Sequence, residues 1–337
     1  MKILMCSQYN TQNTYVSDLI DELRNFAEVH TEVSTFWDSK EDFDVIHIQW
    51  PEELLGWVNI DKEKISALKK RITYYKSRNS KIVTTLHNAT PHIDNIYNKE
   101  LYQYIYNETD VIVHLGAYST RFYPYKKNVI IHHSNYEKHI TIDDKKSSKE
   151  KKFFCFGKIR NPEEEQQIID GFLAAKIPDS KLIISNSLLG KNPYYGEGKL
   201  SLRKWKYIWF LKKLKKRNIK LITAKIPKEN INNYFNNASV IISPRINTLN
   251  SGVIYMALTF GKPVIGPDQG NIGEFLKTTN NPTFTPNDKT SIATAMQRAL
   301  NSSNLGKENL TFSRKNLSAR TIAEKHYQLY QNLSKTD

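Results

Sequence analysis

Apolar residues cluster in two series of short runs. KILMCS, DVIHIQ, KIVTTLH, DVIVHLG and NVIIHH fall in residues 2–133, and KFFCFG, KLIISN, IKLITA, SVIISP and KPVIG follow in residues 152–266. The runs are rich in β-branched residues and nearly continuous in apolar character, with helix-length stretches of mixed polarity between them. That pattern predicts parallel strands covered by helices on both faces. Each series therefore predicts an open, doubly wound α/β sheet. Both open alike, with a strand, a polar loop and a helix, VSDLIDELRNF in one and EEEQQIIDGF in the other.

The boundaries follow from the same pattern. A first domain is expected over residues 1–140, a charged linker, TIDDKKSSKEKK, over 141–152, a second domain over 153–312 and a terminal segment over 313–337. In SRKNLSARTIAEKHYQLYQNL apolar residues recur at helical spacing, which predicts a helix that packs back toward the first domain. Two such sheets facing each other leave a central cleft at the carboxyl ends of their strands, where open sheets bind ligands.

Composition narrows the class. A chain of 337 residues has room for two cores, and 39% hydrophobic with 11% aromatic residues argues against disorder. The start, MKILMCSQ, reads as a strand rather than a signal peptide, and no run approaches the roughly 18 apolar residues of a membrane span. A cytoplasmic protein is expected. Cys6 and Cys155 each sit in a predicted strand, as two buried thiols of a reducing compartment would, and no zinc site is indicated. The net charge of +15 is unevenly placed: residues 1–150 carry −2 and residues 151–337 carry +17. Anionic partners are expected at the second half: phosphates, nucleic acid or a membrane surface.

The chemistry-bearing residues lie at predicted strand ends. Asn250, Ser251 and Gly252 precede the apolar helix VIYMALTF, and a helix N-terminus suits a phosphate; a plain N-cap on a buried helix is the simpler reading. Gly270 and Asn271, in the loop GPDQGNIGE, are placed to bring backbone amides to the same position. Lys158 and Arg160 stand just past a strand end, as phosphate-binding cations or as a solvated pair. In the first half TTLHNATPH ends a strand with His87 and Asn88, followed by Pro91 and His92, and HIQWPEE ends another with Gln49, Trp50 and Glu52. An aromatic ring with polar neighbours suits a sugar, and an imidazole suits a hydroxyl or a reacting centre.

Taken in order, DFDVIHIQWPE, TTLHNATPH, VIIHHSNY, FGKIRNPEE, SVIISPRINTLNSG and ALTFGKPVIGPDQGNIGE resemble the GT-B glycosyltransferases of the family-4 type, over residues 1 to about 330. The resemblance is greatest to the bacterial group that assembles capsular, exopolysaccharide or lipopolysaccharide repeat units. It implies two Rossmann-like domains facing a cleft and a nucleotide-sugar donor, UDP- or GDP-linked. It implies a glycan or lipid-linked acceptor and transfer with retention. Lys158 and Arg160 then contact the donor diphosphate, with Arg245, Asn250, Ser251, Gly252, Gly270, Asn271 and Glu274 completing the donor site. His87 and Asn88 join Lys158 and Arg160 as the catalytic set. Gln49, Trp50, Glu52, His92 and His133 would face the acceptor, as would Thr11, Asn13 and Tyr15, which replace a glycine-rich first loop. The chain departs from the family's paired glutamates, near Thr248 or Leu249 and near Met256 or Ala257, and has Glu163 near a family lysine. No metal or other cofactor is implied.

One segment stands apart. SLRKWKYIWFLKKLKKRNIK holds nine Lys/Arg and no acid. At about 100° per residue it has two apolar stripes, Tyr207, Phe210, Leu211 and Leu214 on one side and Leu202, Trp205 and Trp209 on the other. The first suits the second sheet. The second, with Lys212, Lys213 and Lys216, suits an anionic membrane surface and a peripheral position at the inner face of the plasma membrane; a solvated helix with its tryptophans packed elsewhere is the bland alternative. Two other functions fit parts of the sequence: a GT-B nucleotide-sugar epimerase, and a basic nucleic-acid-binding protein. The second lacks any nucleic-acid recognition motif, so nucleic acid is not an expected partner.

Overall fold

The computed structural model describes residues 1–9, 14–143, 150–191, 193 and 202–335. Its strands are β1 (Lys2–Cys6), β2 (Glu28–His30), β3 (Val45–Ile48), β4 (Lys81–Leu86), β5 (Val111–His114), β6 (Lys127–Ile130), β7 (Lys151–Cys155), β8 (Ser180–Ile184), β9 (Ile219–Leu221), β10 (Val240–Ile242), β11 (Val264–Pro267) and β12 (Thr283–Phe284). The α-helices are α1 (Thr14–Leu23), α2 (Val33–Asp38), α3 (Lys62–Lys76), α4 (Ile96–Glu108), α5 (Pro162–Ala175), α6 (Leu202–Lys216), α7 (Lys228–Asn237), α8 (Gly252–Thr259), α9 (Gly270–Thr278), α10 (Lys289–Asn301), α11 (Leu305–Asn316) and α12 (Ala319–Ser334). Two compact units result: Met1–Tyr136 with Lys315–Asp337, and Glu137–Arg314.

Each unit holds one six-stranded parallel sheet, in the order β2-β1-β3-β4-β5-β6 in the first and β12-β11-β10-β7-β8-β9 in the second. Both are doubly wound α/β sheets. The order reverses between β1 and β3 in one and between β7 and β10 in the other, and ligands bind at such switch points in open sheets. The ten runs of the sequence correspond to ten of these strands. The short edge strands β2 and β12, of three and two residues, are the additions.

Pleat alternation explains why the runs are continuously apolar. In the first unit Ile3, Met5, Val45, Val83 and Val111 face α1 and α12, while Leu4, Cys6, Ile46, Ile48 and Ile82 face α3 and α4. The terminal helix α12 contributes Ile322, Ala323, Tyr330 and Leu333 to the first of these cores. In the second unit Phe153, Cys155, Leu182, Ile184 and Val240 pack against α5 and α10. The opposite face carries aromatic contacts from Phe154 to Tyr234 and Phe235, and from Phe235 to Phe260. Cys6 and Cys155 are buried free thiols. No helix among the described residues is long and apolar enough to cross a membrane.

Candidate active site

In the second unit the turn after β7 and the loop after β10 meet at the switch point. Asn161 caps α5 by accepting from the Glu164 amide at 2.8 Å, with Pro162 in the first helical position. Glu164 is almost fully buried and joins both loops: Oε2 accepts from the Arg160 amide (2.8 Å) and Oε1 from the Ile246 amide (3.2 Å). Lys158 and Arg160 are exposed, while Ile159 between them is buried in the core. Arg245 is half-buried, and its Nε is buried with no hydrogen-bond partner among the described residues. Burial pulls the Arg245 pKa down, the charge of Arg160 adds to this, and Glu164 opposes it. A buried guanidinium N–H without an acceptor is costly and points to a bound anion.

The β10–α8 and β11–α9 loops are tied together beside these cations. The Asn271 amide donates to Asn250 Oδ1 at 2.8 Å. Gly270 has φ +58°, and a Cβ there would sit 3.4 Å from the carbonyl oxygens of Thr248 and Leu249, so both conformation and approach favour glycine. The plain N-cap reading of Ser251 does not hold. Its hydroxyl is buried, 3.0 Å from Ser243 Oγ, and caps nothing. Asn250 and Asn271 likewise bond each other. What α8 presents to an anion is thus backbone N–H from its first turn, where i−4 acceptors are lacking, although the Ile254 amide already donates to the Ser251 carbonyl at 3.3 Å. Glu274 is half-buried, with Oε2 buried and unpartnered among the described residues.

Two carboxylates went unread in the sequence, Glu164 and Glu165. Asn161 followed three residues later by Glu164 is a capping pattern that marks the first of them. Glu165 is fully buried and accepts from Ser187 Oγ (2.5 Å) and from the amides of Leu188 (2.8 Å) and Leu189 (2.9 Å), fixing the loop after β8. Leu188, Leu189, Tyr207 and Phe210 line an open pocket of about 510 Å³.

In the first unit the ends of β3 and β4 carry a connected polar set. His87 Nε2 lies 2.9 Å from Gln49 Oε1, so this nitrogen donates and Nδ1 is the acceptor nitrogen. Trp50 stacks on the His87 ring with centroids 4.2 Å apart. Burial drives the His87 pKa down to about 3, with the charges of His133 and His92 adding to it. So weak a base is neutral near pH 7 and suits a hydrogen bond to a hydroxyl rather than proton abstraction. Gln49 and Glu52, expected in the acceptor wall, are fully buried instead. Glu52 accepts from the Tyr102 hydroxyl (2.8 Å) and the His92 amide (3.0 Å). Burial pushes its carboxyl up, and the bonds from His92 and Tyr102 outweigh this and leave it low. These two residues position His87 and the Asn88–His92 loop, in which the Asn88 amide lies 3.2 Å from His92 Nε2.

Tyr15 stacks on His133 with centroids 4.2 Å apart, and the buried Tyr15 hydroxyl has no hydrogen-bond partner among the described residues. His133 Nδ1 donates to the Ser134 carbonyl at 2.5 Å, and burial lowers its pKa to about 4. Thr11 and Asn13 lie outside the described residues. On α6, Leu214 is buried and Phe210 packs on the core, whereas Leu202, Trp205 and Trp209 are 77%, 58% and 65% exposed. The two stripes therefore separate as the sequence predicts. Among the described residues no group of three or more His, Cys, Asp and Glu is arranged to hold a metal ion.

No protein-family model matches the sequence, and no curated protein matches it. Solved structures do match in fold. Sucrose-phosphate synthase from Thermosynechococcus elongatus aligns with TM-score 0.70 at 15% identity, over all of both chains. Anabaena HepE in complex with UDP and glucose aligns at 0.66 and 13%, over 98% of this chain and 100% of that one. UDP-GlcNAc 2-epimerase from Methanocaldococcus jannaschii aligns at 0.55 and 14%, also over 98% and 100%. The two parallel six-stranded sheets with their flanking helices, matched along essentially the whole chain, give this protein the GT-B fold.

Proposed function

We propose that the protein is a hexosyltransferase that moves a sugar from a nucleoside-diphosphate donor, UDP- or GDP-linked, to a hydroxyl of a glycan or lipid-linked acceptor. The pathway we assign it to is capsule, exopolysaccharide or lipopolysaccharide synthesis, in the manner of family-4 enzymes. One observation carries the reading: Arg245, whose buried Nε–H has no partner among the described residues, lies within electrostatic reach of Arg160, in the β10–α8 loop at the switch point of the second sheet. These groups suit a diphosphate, and they suit it more as its charge grows on leaving the anomeric carbon. The acceptor oxygen attacks that carbon on the face the diphosphate leaves, giving retention, and its proton passes to the departing phosphate oxygen. In the first unit His87, neutral and oriented by Gln49, accepts a hydrogen bond from a sugar hydroxyl. The scheme assigns no step to a metal, so chelator is expected to leave transfer unchanged.

The HepE structure contains UDP and glucose, which makes UDP-glucose the first donor to test. At 100 times its dissociation constant the correct nucleotide adds about 2.7 kcal/mol of stability, readable as a thermal shift. Arg245→Leu is expected to weaken nucleoside-diphosphate binding about tenfold or more. Unchanged affinity in that variant, or no response of the parent protein to any nucleotide, would sink the reading. Product analysis separates transfer from epimerisation: an epimerase converts the nucleotide sugar without acceptor, while a transferase couples nucleotide release to acceptor glycosylation.

A further inference from the structure

The exposed face of α6 combines large apolar side chains with a dense set of cations. Leu202, Trp205 and Trp209 lie within about 60° of arc on the helix at 100° per residue, and all three are more than half exposed. Lys206, Lys212, Lys213 and Lys216 fall within about 60° either side of Trp209 on the same count, and all four are exposed. The Lys213 ammonium sits 5.3 Å from the Trp209 ring centroid. The opposite side of the helix is committed to the sheet through Phe210 and Leu214. The helix carries no acid.

The basic field extends past the helix itself. Lys191, Arg203 and Lys206 line the pocket on one flank of α6, and Lys181, Lys215 and Lys220 line a second open pocket of about 500 Å³ on the other. A protein interface core is depleted in lysine, which argues against a protein partner. Indole rings ringed by ammonium groups match the boundary of an anionic bilayer, where tryptophan sits at headgroup level and lysine meets lipid phosphate. At 15 residues the helix is long enough to lie along such a surface and too short to cross it.

We infer that α6 docks the protein on an anionic lipid bilayer, with Trp205 and Trp209 inserted at the headgroup level and the surrounding lysines against lipid phosphates. This goes beyond the transfer reading and stands without it, since it uses no residue of the donor site.

The test is co-sedimentation of the full chain with vesicles of phosphatidylcholine alone and with about one-third phosphatidylglycerol, at low and high salt. Binding is expected on the anionic vesicles only, falling as salt rises. Trp205→Ser with Trp209→Ser is expected to weaken it about tenfold or more. Lys212→Gln, Lys213→Gln and Lys216→Gln together are expected to weaken it about a hundredfold at low salt while keeping both indoles, so a folding defect in the first variant leaves the second test standing. Equal binding to phosphatidylcholine alone, or full binding by both variants, overturns the inference. So does tight binding of a single-stranded oligonucleotide with no vesicle association, which would assign the face to nucleic acid.

Discussion

His326 gives a prediction that can be worked through from the structure. It sits in α12 with no exposed surface, and its Nδ1 donates to the Ile322 carbonyl at 2.9 Å. The other nitrogen, Nε2, is buried without a hydrogen-bond partner among the described residues. Burial holds its pKa at about 4 against an ordinary 6.5. His47 lies beside it, ring centroids 5.6 Å apart, and is itself pushed down by burial and then by the charges of His326 and His87. Because the folded pKa lies below the unfolded one, the unfolded chain binds more protons between them. Stability is thus complete above about pH 6.5, falls as pH drops, and stops falling below about pH 4. At 1.36 kcal/mol per unit, His326 alone removes about 2 kcal/mol at pH 5. The assay is urea unfolding at pH 7 and pH 5 in a Trp205→Phe, Trp209→Phe background, where the remaining tryptophans 37, 50 and 57 report on the first unit alone. His326→Leu should be less acid-sensitive than its parent by about 2 kcal/mol over that interval. Equal losses in parent and variant would refute the reasoning, because every other titrating group is common to both.

Three further outcomes are expected. Glu165→Ala strands the amides of Leu188 and Leu189 and should cost about 3–5 kcal/mol in chemical unfolding, while Glu165→Gln keeps one acceptor oxygen and should cost clearly less; equal costs would show that an acceptor oxygen at this position is not what holds the loop. Gly171→Ala places a Cβ 2.2 Å from Ile292 Cγ2 where α5 meets α10, so it should lower stability by about 1–3 kcal/mol by overpacking, and a rise in thermal midpoint would contradict the packing described. Gln49→Leu removes the acceptor for His87 Nε2–H; sugar-dependent activity should fall and His87, followed by NMR, should lose its fixed tautomer, whereas an unaltered imidazole signal would show that Gln49 does not orient it.

The site was legible in unequal parts. Gly270 stood out because glycine is the residue for a positive φ and a close backbone approach, and both are present. The N-cap reading of Ser251 does not hold, because a hydroxyl at a helix start caps in isolation, but here Ser243 at the end of β10 offers it a buried partner. Glu52 and Gln49 read as surface polar groups at a strand end, and only Tyr102, His92 and His87, which come from later in the chain, show why they are inside. Glu165 was invisible for the same reason: its three donors lie 22 to 24 residues away.

Ten of the twelve described strands, their parallel arrangement and the doubly wound class can be read from residue order alone, because strands buried on both faces must be apolar at successive positions. So can the two-sided character of α6, since helical spacing alone sorts Leu214 from Trp209. The edge strands β2 and β12, too short to carry a period, and the fate of each polar side chain at the strand ends follow from packing in three dimensions. A carboxylate or hydroxyl is stable either in water or against buried donors, and local sequence does not say which. That choice is made where loops distant in the chain meet, as Glu164 shows by joining the Arg160 turn to the Ile246 loop.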